Sequence, residues 1–495
     1  MTVDQRDDAV EAALAAARAL GLYVILRIQE RRERRLVVVD GGVERQRTSR
    51  VTGIGVHTLT PDGSVGFASA DDVTPEAARI AVAQAGEMAE AARQLNAARC
   101  HAPFDLEGTG RVRMVGPSTE IAEPIVAELT RVLAEAQLTI GDAMPGEGRT
   151  ARTALLVVDE AWRVARSDGT DVSFGTPRVS LRHDLTGRVG GTIARASANV
   201  SGVDVSSVVS AASVTRLTRR AARAAADARL AAGAPAIRSG SYRVVIRHAL
   251  AKGLAHEAIG HLCESDIDGS VWMRQGKLRI GERLARETVS VVDGPLVGDY
   301  ACQSISANGL PRQTVALVDR GILSAGLGDL FSAGQAGVPI TGACRAASFR
   351  DRPTPRMTNI RIEVADAAPL VGDPDDLAPE DVATALERLG LLDRNQPTVY
   401  LTGYRGGTAH PRRGDFVFGT DAAFELNDGC APRAPASFSG LAGRALASIV
   451  AGIGPLCTDA IGTCNKDGSG VASSGGSHAL LVLDADPDLI VTSAR

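Results

Sequence analysis

Residues 232–240 read Ala-Gly-Ala-Pro-Ala-Ile-Arg-Ser-Gly, and this stretch separates two parts of the chain with different patterns. Before it, residues 214–232 are rich in Ala and Arg and carry apolar side chains at helical spacing. After it, Tyr242–Ile246 is rich in β-branched residues and predicts a strand. Small residues and a proline between a helix and a strand are typical of a linker. We therefore predict two domains, residues 1–235 and residues 236–495.

The first part of the chain alternates predicted helices with predicted strands. Helices are expected at about residues 7–21, 74–93 and 118–137, from cap residues and from the spacing of apolar side chains. Alternating apolar and polar residues around turn signals predict antiparallel strands, which are expected at Leu22–Ile28, Leu36–Val39, Gly53–Leu59, Val65–Ala68, Leu155–Asp159, Trp162–Ser167 and Val172–Asp184. The first domain is therefore predicted to be a mixed α/β unit.

The second part of the chain has a different pattern. A helix is predicted at about residues 249–264, and most of the remainder is short strands interrupted by Gly, Pro and Asp. We predict an α+β protein, in which an N-terminal mixed α/β domain with antiparallel strands is followed by a β-rich C-terminal domain that carries a distorted metal-binding helix.

Composition and charge exclude several classes of protein. The chain has 495 residues, of which 44% are hydrophobic and 23% charged, as expected for a folded protein and not for a disordered one. A net charge of −4 gives no general attraction for nucleic acid or anionic membranes, so Arg216, Arg219, Arg220 and Arg223 are expected on a solvated or interface face. The seven irregularly spaced cysteines do not resemble a disulfide framework, the N-terminal residues do not have the pattern expected of a signal peptide, and no run of 18 apolar residues is present. We expect a cytoplasmic protein.

The predicted helix in the second part contains Ala-His-Glu-Ala-Ile-Gly-His-Leu-Cys-Glu at residues 255–264. Neutral imidazoles bind zinc well, and a carboxylate that is not a ligand can take a proton from a water whose pKa zinc has lowered. His256, Glu257 and His261 therefore suggest a zinc hydrolase. Five residues span about 500°, so the two imidazole rings would lie about 140° apart on a regular α-helix. Since a π turn brings such residues nearly into line, we predict a π-bulge or a break between Glu257 and His261, at Gly260.

A third ligand is needed, because an isolated motif of this kind more often belongs to a packed core or a helix end. Cys464 is the best candidate, since it lies in a glycine-flanked segment beside Lys466, whose charge favours the thiolate. Glu264 is another, because it lies one turn after His261. The remaining candidates are His410, Cys457 and His478. Spacing alone does not choose among these residues.

Several further motifs accompany the two histidines in a distinctive order. They are Gly53-Ile54-Gly55-Val56, Gly66-Phe67-Ala68-Ser69, Ser167-Asp168-Gly169, Arg356-Met357-Thr358-Asn359, Gly406-Gly407, Gly414-Asp415-Phe416 and Cys464-Asn465-Lys466-Asp467-Gly468. Over nearly its whole length the chain resembles the TldD/PmbA metallopeptidases, specifically the catalytic TldD-like branch.

This resemblance implies a metal site and an assembly. His256, His261 and Cys464 would bind one Zn²⁺, and Glu257 would act as general base. The active site would lie in a closed interior chamber of a dimer, either a homodimer or a heterodimer with a PmbA/TldE-like subunit that lacks the metal ligands. Family members cut small or unfolded peptides, so the resemblance implies a zinc-dependent peptidase.

Two segments depart from the family pattern. Asn465-Lys466 and Gly468-Ser469 stand where the family usually has Gly-Lys and then Gly-Gln, and Ser306-Ala307-Asn308-Gly309 replaces a segment that is often acidic. Both segments are expected near the substrate. An alternative function is therefore a dedicated hydrolase that matures a modified peptide or another natural product.

Other interpretations concern the chemistry of the site. The group that stabilises the oxyanion is unidentified, with Arg356, Tyr404 and Arg405 as candidates. Ser437-Phe438-Ser439-Gly440 could offer a strand edge to a peptide, although a core strand is favoured. A non-catalytic scaffold that carries zinc is one rival, and a structural zinc site closed by Cys263 or Cys457 is another. Cys263 is otherwise expected to be a buried thiol.

Overall fold

The computed structural model describes residues 3–95, 97–114, 123–141, 144, 147–393 and 395–494. Its α-helices are Val3–Ala19 (α1), Pro75–Gln94 (α2), Glu123–Gly141 (α3), Val205–Val208 (α4), Ala211–Ala231 (α5), His248–Ala255 (α6), Ala333–Ala336 (α7), Pro379–Arg388 (α8) and Ala442–Ala447 (α9). A short 3₁₀ turn spans Ala102–Asp105. The predicted helices near residues 7–21, 74–93 and 214–232 are present, and the predicted start of the third helix, Ser118, lies outside the described residues.

An eight-stranded sheet forms the N-terminal half. Its strands are Tyr23–Val39 (β1), Gly42–Leu59 (β2), Val65–Ala70 (β3), Arg111–Arg113 (β4), Glu147–Arg166 (β5), Asp171–Gly175 (β6), Arg178–Val189 (β7) and Thr192–Gly202 (β8). The order is β3-β2-β1-β5-β6-β4, and β7 pairs with both β5 and β8. All of these pairs are antiparallel except β4 with β6.

The predicted strands of this half are longer or differently divided than expected. The predicted strands at residues 22–28 and 36–39 belong, from Tyr23 onward, to one strand, β1, because the charged segment between them pairs with β2 on one side and with β5 on the other. Glu30 in that segment binds Arg50 of β2 at 2.6 Å, so its charge is satisfied across the strands. The two strands predicted within residues 155–167 likewise form the single strand β5. In contrast, the predicted strand Val172–Asp184 divides into β6 and β7.

The C-terminal half is rich in β-structure. Its strands are Arg243–Arg247 (β9), Met273–Arg274 (β10), Lys277–Leu278 (β11), Val289–Gly294 (β12), Val315–Asp319 (β13), Ile322–Leu323 (β14), Cys344–Arg345 (β15), Thr354–Pro355 (β16), Asn359–Val364 (β17), Thr398–Thr402 (β18), Gly407–His410 (β19), Asp415–Gly419 (β20), Ala422–Glu425 (β21), Ala431–Arg433 (β22), Ala436–Leu441 (β23), Ile449–Lys466 (β24), Ser469–Leu483 (β25) and Leu489–Ser493 (β26). A ten-stranded sheet has the order β14-β13-β12-β17-β25-β9-β18-β21-β22, with β24 paired to β25.

The remaining strands form smaller sheets. The order β19-β20-β23-β26 makes a four-stranded sheet, and β10 with β11 and β15 with β16 make two ribbons. Because β23 pairs with β20 on one side and β26 on the other, Ser437–Gly440 offers no free edge, and the favoured core strand is the correct interpretation. The α+β class is confirmed. The domain boundary between residues 235 and 236 falls between the two large sheets and stays a prediction.

The two halves pack against one another through β1 and β2. Alternate residues of β1, such as Val24 and Leu26, face a core shared with α1 and α2. Tyr23 and Ile25 face the opposite way and pack with residues of the C-terminal half. Gly53 allows this contact, since a Cβ there would lie 2.2 Å from Cζ of the buried Phe349 ring.

The segment Ser306–Gly309, which differs from the family pattern, also lies where the two halves meet. Arg27 on β1 donates to the side-chain oxygen of Asn308 at 2.6 Å, and Arg166 at the end of β5 donates to its carbonyl at 3.1 Å. This segment therefore joins the two halves, and its expected closeness to substrate stays a prediction. Among the described residues, no helix is long and apolar enough to cross a membrane.

Candidate metal centre

The histidine motif lies where the helix changes its winding. After α6, residues His256–Gly260 form a π turn and His261–Cys263 a 3₁₀ turn. The predicted distortion is confirmed, and the two imidazole rings lie 5.0 Å apart between centroids. Gly260 is required here because a Cβ would lie 1.9 Å from Met357 Sδ and 2.9 Å from Ile360 Cδ1. The motif residue Met357 thus packs directly against the π turn.

Cys464 lies near the tip of the long hairpin formed by β24 and β25. Its partner across the hairpin is Val471, and the turn passes through Asp467 and Gly468, both with positive φ. Arg356 holds this tip, because its Nη2 donates to the carbonyl of Cys464 at 2.6 Å and to that of Ser469 at 2.7 Å. Cys464 itself is 1% exposed. The hairpin therefore brings the thiol into the protein interior.

These elements bring His256, His261 and Cys464 together. One ligand atom from each residue lies within 4.8 Å of the others, and all three residues are buried. The Cys464 Sγ is 3.6 Å from His261 Nε2. Neither ring nitrogen of His256 has a hydrogen-bond partner, although both are buried. Buried polar atoms are rarely left without a partner, so the donor set of two imidazoles and a thiol fits a metal ion such as zinc.

The other candidate ligands lie in different surroundings. His410 is exposed beside Asp415, and Cys457 is half-buried near the Pro455 carbonyl. Both nitrogens of His478 are used, since Nδ1 is 2.9 Å from the Gly454 carbonyl oxygen and Nε2 accepts from the Val364 N–H. Among the described residues, neither these side chains nor Cys263 belongs to the group of possible metal ligands.

Glu257 lies beside the group. Its Oε2 is 3.9 Å from His261 Nε2, and its side chain is 24% exposed. Burial raises the pKa of Glu257, while His261 and Lys252 act in the opposite direction without reversing the shift. A carboxylate with a raised pKa is a better proton acceptor than an ordinary one. Glu257 is therefore suited to hold a proton next to the three grouped side chains.

The three candidates for oxyanion stabilisation make different contacts. Arg356 is occupied by backbone carbonyls of the hairpin tip, and Arg405 binds Asp421 at 2.6 Å. Tyr404 is partly buried, with its ring 6.0 Å from that of Phe418. Burial, and then the charge of Glu257, raise the pKa of Tyr404. Tyr404 is therefore linked electrostatically to Glu257, whereas the charge of Arg356 acts on His256, whose pKa is lowered mainly by burial and further by this charge.

Two charged side chains near the site, those of Lys252 and Glu264, make contacts that the sequence analysis did not predict. Lys252, one turn before His256, is buried and donates to Ser473 Oγ at 2.9 Å. Glu264, considered above as a ligand, instead lies 3.0 Å from His261 Nδ1 and 2.8 Å from Lys466 Nζ. Burial would raise the pKa of Glu264, but His261 and Lys466 outweigh it and lower the pKa. The signal that could have indicated this pairing is complementary charge, since two acids follow His261 closely and a lysine follows Cys464.

A cavity of about 950 Å³ lies next to this charged group, between the two halves. Residues 265–268 line it on one side, and His57 and Val65 of the N-terminal sheet line it on the other. His256, His261 and Cys464 do not line it.

The predicted basic face of α5 is explained by ion pairs within the protein, because Arg216 and Arg220 bind Asp375 at 2.6 and 2.7 Å.

Comparison with known proteins finds family models and relatives described as metallopeptidases or metalloproteases. Residues 239–453 match a family model described as PmbA/TldA metallopeptidase C-terminal domain, and residues 24–89 match PmbA/TldA metallopeptidase domain 1. A metalloprotease of Methanothermobacter thermautotrophicus is 26% identical over 92% of this chain and 93% of its own length. A zinc metalloprotease TldD homolog of Saccharolobus solfataricus is 31% identical over 26% of this chain and 29% of its own length.

A solved structure extends the agreement to the fold. TldE from Thermococcus kodakarensis superposes with a TM-score of 0.70 at 16% identity, covering 97% of this chain and 99% of that one. The matched domains, the relatives and the fold together lead to one conclusion. The chain belongs to the PmbA/TldD family of metallopeptidases.

Proposed function

We propose that this protein is a zinc-dependent peptidase in which His256, His261 and Cys464 hold the metal ion and Glu257 is the general base. The observation that carries the proposal is the grouping of the three ligand atoms within 4.8 Å. Three protein ligands leave a coordination position for water or substrate, as in catalytic zinc sites, whereas structural sites are closed by a fourth protein ligand.

The chain's own residues supply the proton transfers. A bound zinc ion supplies Lewis-acid chemistry, since it polarises a carbonyl group and lowers the pKa of a water molecule. Glu257 accepts a proton from the attacking water and passes it to the nitrogen of the leaving amine as the peptide C–N bond breaks. The carboxylate returns to its starting state, and the products are a carboxylic acid and an amine.

The substrate and the partner are further parts of the proposal. We assign small or unfolded peptides as substrate, which is consistent with a site whose three ligands are all buried. Because one of the solved neighbours is a TldE, a PmbA/TldE-like partner subunit is part of the proposal, with a homodimer as the alternative assembly. All seven cysteines are free, which suits a cytoplasmic location.

The test compares the wild-type protein with Glu257→Gln, alone and with a TldE-like subunit. We expect zinc content to be unchanged and hydrolysis of an unfolded, disulfide-free polypeptide to fall by about 10²–10⁴-fold, the usual contribution of a general base. Zinc binding without hydrolysis in either protein would instead indicate a non-catalytic scaffold that carries zinc, and equal, measurable hydrolysis in both would exclude Glu257 as the general base.

A second pair of variants tests the ligands. Cys464→Ser should lose zinc, whereas Cys263→Ser should retain it, because Cys263 is a buried thiol outside the grouped side chains. Metal analysis of the purified proteins measures both. Normal zinc content in Cys464→Ser would contradict the assignment of the third ligand.

A further inference from the structure

Glu264 is a fully buried carboxylate between the two segments that carry the grouped ligand atoms. It is 0% exposed, it follows the 3₁₀ turn that begins at His261, and one of its oxygens, Oε2, makes both of its polar contacts. This oxygen lies 3.0 Å from His261 Nδ1 and 2.8 Å from Lys466 Nζ. A buried charge is costly unless it is paired, so this arrangement requires both neighbours.

The contact with His261 decides which ring nitrogen carries the proton. A carboxylate that is held by an ammonium group can only accept hydrogen bonds, so Nδ1 of His261 must donate. The lone pair of the neutral ring then lies on Nε2. Nε2 is the atom that lies 3.6 Å from Cys464 Sγ, within the group of possible metal ligands.

The contact with Lys466 reaches the other segment. Lys466 is the last residue of β24 and lies two positions after Cys464, and it is 9% exposed. Its Nζ also contacts Asp266 Oδ1 at 2.5 Å and the Pro355 carbonyl at 3.4 Å. The side chain thus ties the hairpin tip to the chain immediately after the 3₁₀ turn, across 202 residues of sequence.

We propose that Glu264 and Lys466 form a positioning pair for the metal site. Glu264 orients His261 so that Nε2 faces the metal position, and Lys466 fixes both the Glu264 carboxylate and the place of the Cys464 hairpin relative to the π turn. Neither residue is a ligand in this assignment. The inference rests on the proposed zinc function, because it concerns how strongly the three ligands hold the ion.

The test measures the affinity of metal-stripped protein for Zn²⁺ by competition with a chromophoric chelator. Loss of a carboxylate that orients a ligating histidine typically weakens metal binding by about 10–100-fold. We expect this loss in Glu264→Gln and in Lys466→Met, and we expect Lys466→Arg, which retains the cation, to stay within about threefold of wild type. Asp266→Asn is the matched control, since Asp266 contacts Lys466 but not His261, and it should change the affinity least.

Substitution with Co²⁺ provides a readout independent of hydrolysis. If Glu264 only positions His261, the cobalt spectrum of Glu264→Gln keeps the thiolate charge-transfer band and the band pattern of a site with the same ligands. Wild-type affinity in Glu264→Gln and in folded Lys466→Met would overturn the pair, and a changed coordination number in Glu264→Gln would make Glu264 a ligand instead. Failure of the wild-type protein to bind zinc would overturn the proposed function as well, which separates the two outcomes.

Discussion

Replacement of Gly260 by alanine should disturb the π turn from within. The added Cβ would lie 1.9 Å from Met357 Sδ and 2.9 Å from Ile360 Cδ1, and both of these residues are 0% exposed. Neither side chain can move into solvent, so the strain must be taken up by shifts of the core or of the turn. Overpacking of a core costs about 1–3 kcal/mol, and a contact this short belongs at the upper end, near 3 kcal/mol.

A double-mutant cycle isolates the contact with Met357. Met357→Ala alone should destabilise the protein by about 2–5 kcal/mol, because it leaves a cavity in the core. In the Gly260→Ala background the new methyl group occupies part of that cavity, so the double variant should be more stable than the sum predicts by about 1–3 kcal/mol. The measurements are urea unfolding of the metal-free proteins and their Zn²⁺ affinity, which should fall in Gly260→Ala since His261 follows the turn.

A matched glycine provides the control. Gly443 also lies in a helix, α9, but a Cβ there would have no neighbouring atom within 4 Å. Gly443→Ala should therefore be neutral, or stabilising by up to about 1 kcal/mol through helix propensity. Additivity of the Gly260 and Met357 changes within about 0.5 kcal/mol, or wild-type stability of Gly260→Ala, would refute the reasoning.

Three other predictions concern the hairpin, the acid stability and the contact between the halves. Arg356→Ala removes charged hydrogen bonds to the carbonyls of Cys464 and Ser469, each worth about 1.5–3 kcal/mol, so amide hydrogen exchange at the tip of the β24–β25 hairpin should accelerate. Unchanged exchange would show that Arg356 does not hold the hairpin tip. Burial would raise the pKa of Asp459, but His248, Arg220 and Arg216 outweigh it and lower the pKa to about 2. As the pH falls, the Asp459 carboxylate is therefore protonated first in the unfolded state, so up to about 2 kcal/mol of stability is present above pH 4 and is lost between about pH 4 and 2. Asp459→Asn should reduce this loss of stability in acid unfolding, and an unchanged loss would exclude the pairing of Asp459 with its basic neighbours. Phe349→Ala should cost about 3–5 kcal/mol and speed proteolysis between the halves, because the buried ring packs on Gly53 of β2; equal resistance to protease would count against that contact.

The parts of the fold that local pattern could predict are those in which one segment determines its own shape. The helix of residues 211–231 begins at the cap Ser210 and ends before the small residues at 232–236. The π turn followed from two histidines five residues apart and a glycine between them. In contrast, the charged segment between residues 28 and 36 was expected to interrupt a strand, and it continues one because two neighbouring strands pair with its backbone and Arg50 of β2 binds Glu30.

The roles of arginines depended on residues that are distant in sequence. Arg356 was considered a candidate for oxyanion stabilisation, yet it binds carbonyls more than 100 positions away. Arg27 and Arg166 hold Ser306–Gly309 at the contact between the halves, which no spacing within that segment indicates. An arginine has five donors in a planar fork and no acceptor, so its role is set by whichever carbonyls and carboxylates the fold brings to it. Local sequence cannot supply that information.

Glu264 shows how the same spacing can support two different roles. A carboxylate three residues after His261 can reach either the metal position or the ring of that histidine, and helical geometry permits both. The choice depends on Lys466, because an ammonium group 2.8 Å from Oε2 holds the carboxylate against Nδ1 and away from the grouped ligand atoms. Since Lys466 lies two residues from Cys464, the residue that keeps Glu264 off the proposed metal position also places the proposed third ligand. The proposed site therefore depends on one buried ion pair between segments 202 residues apart.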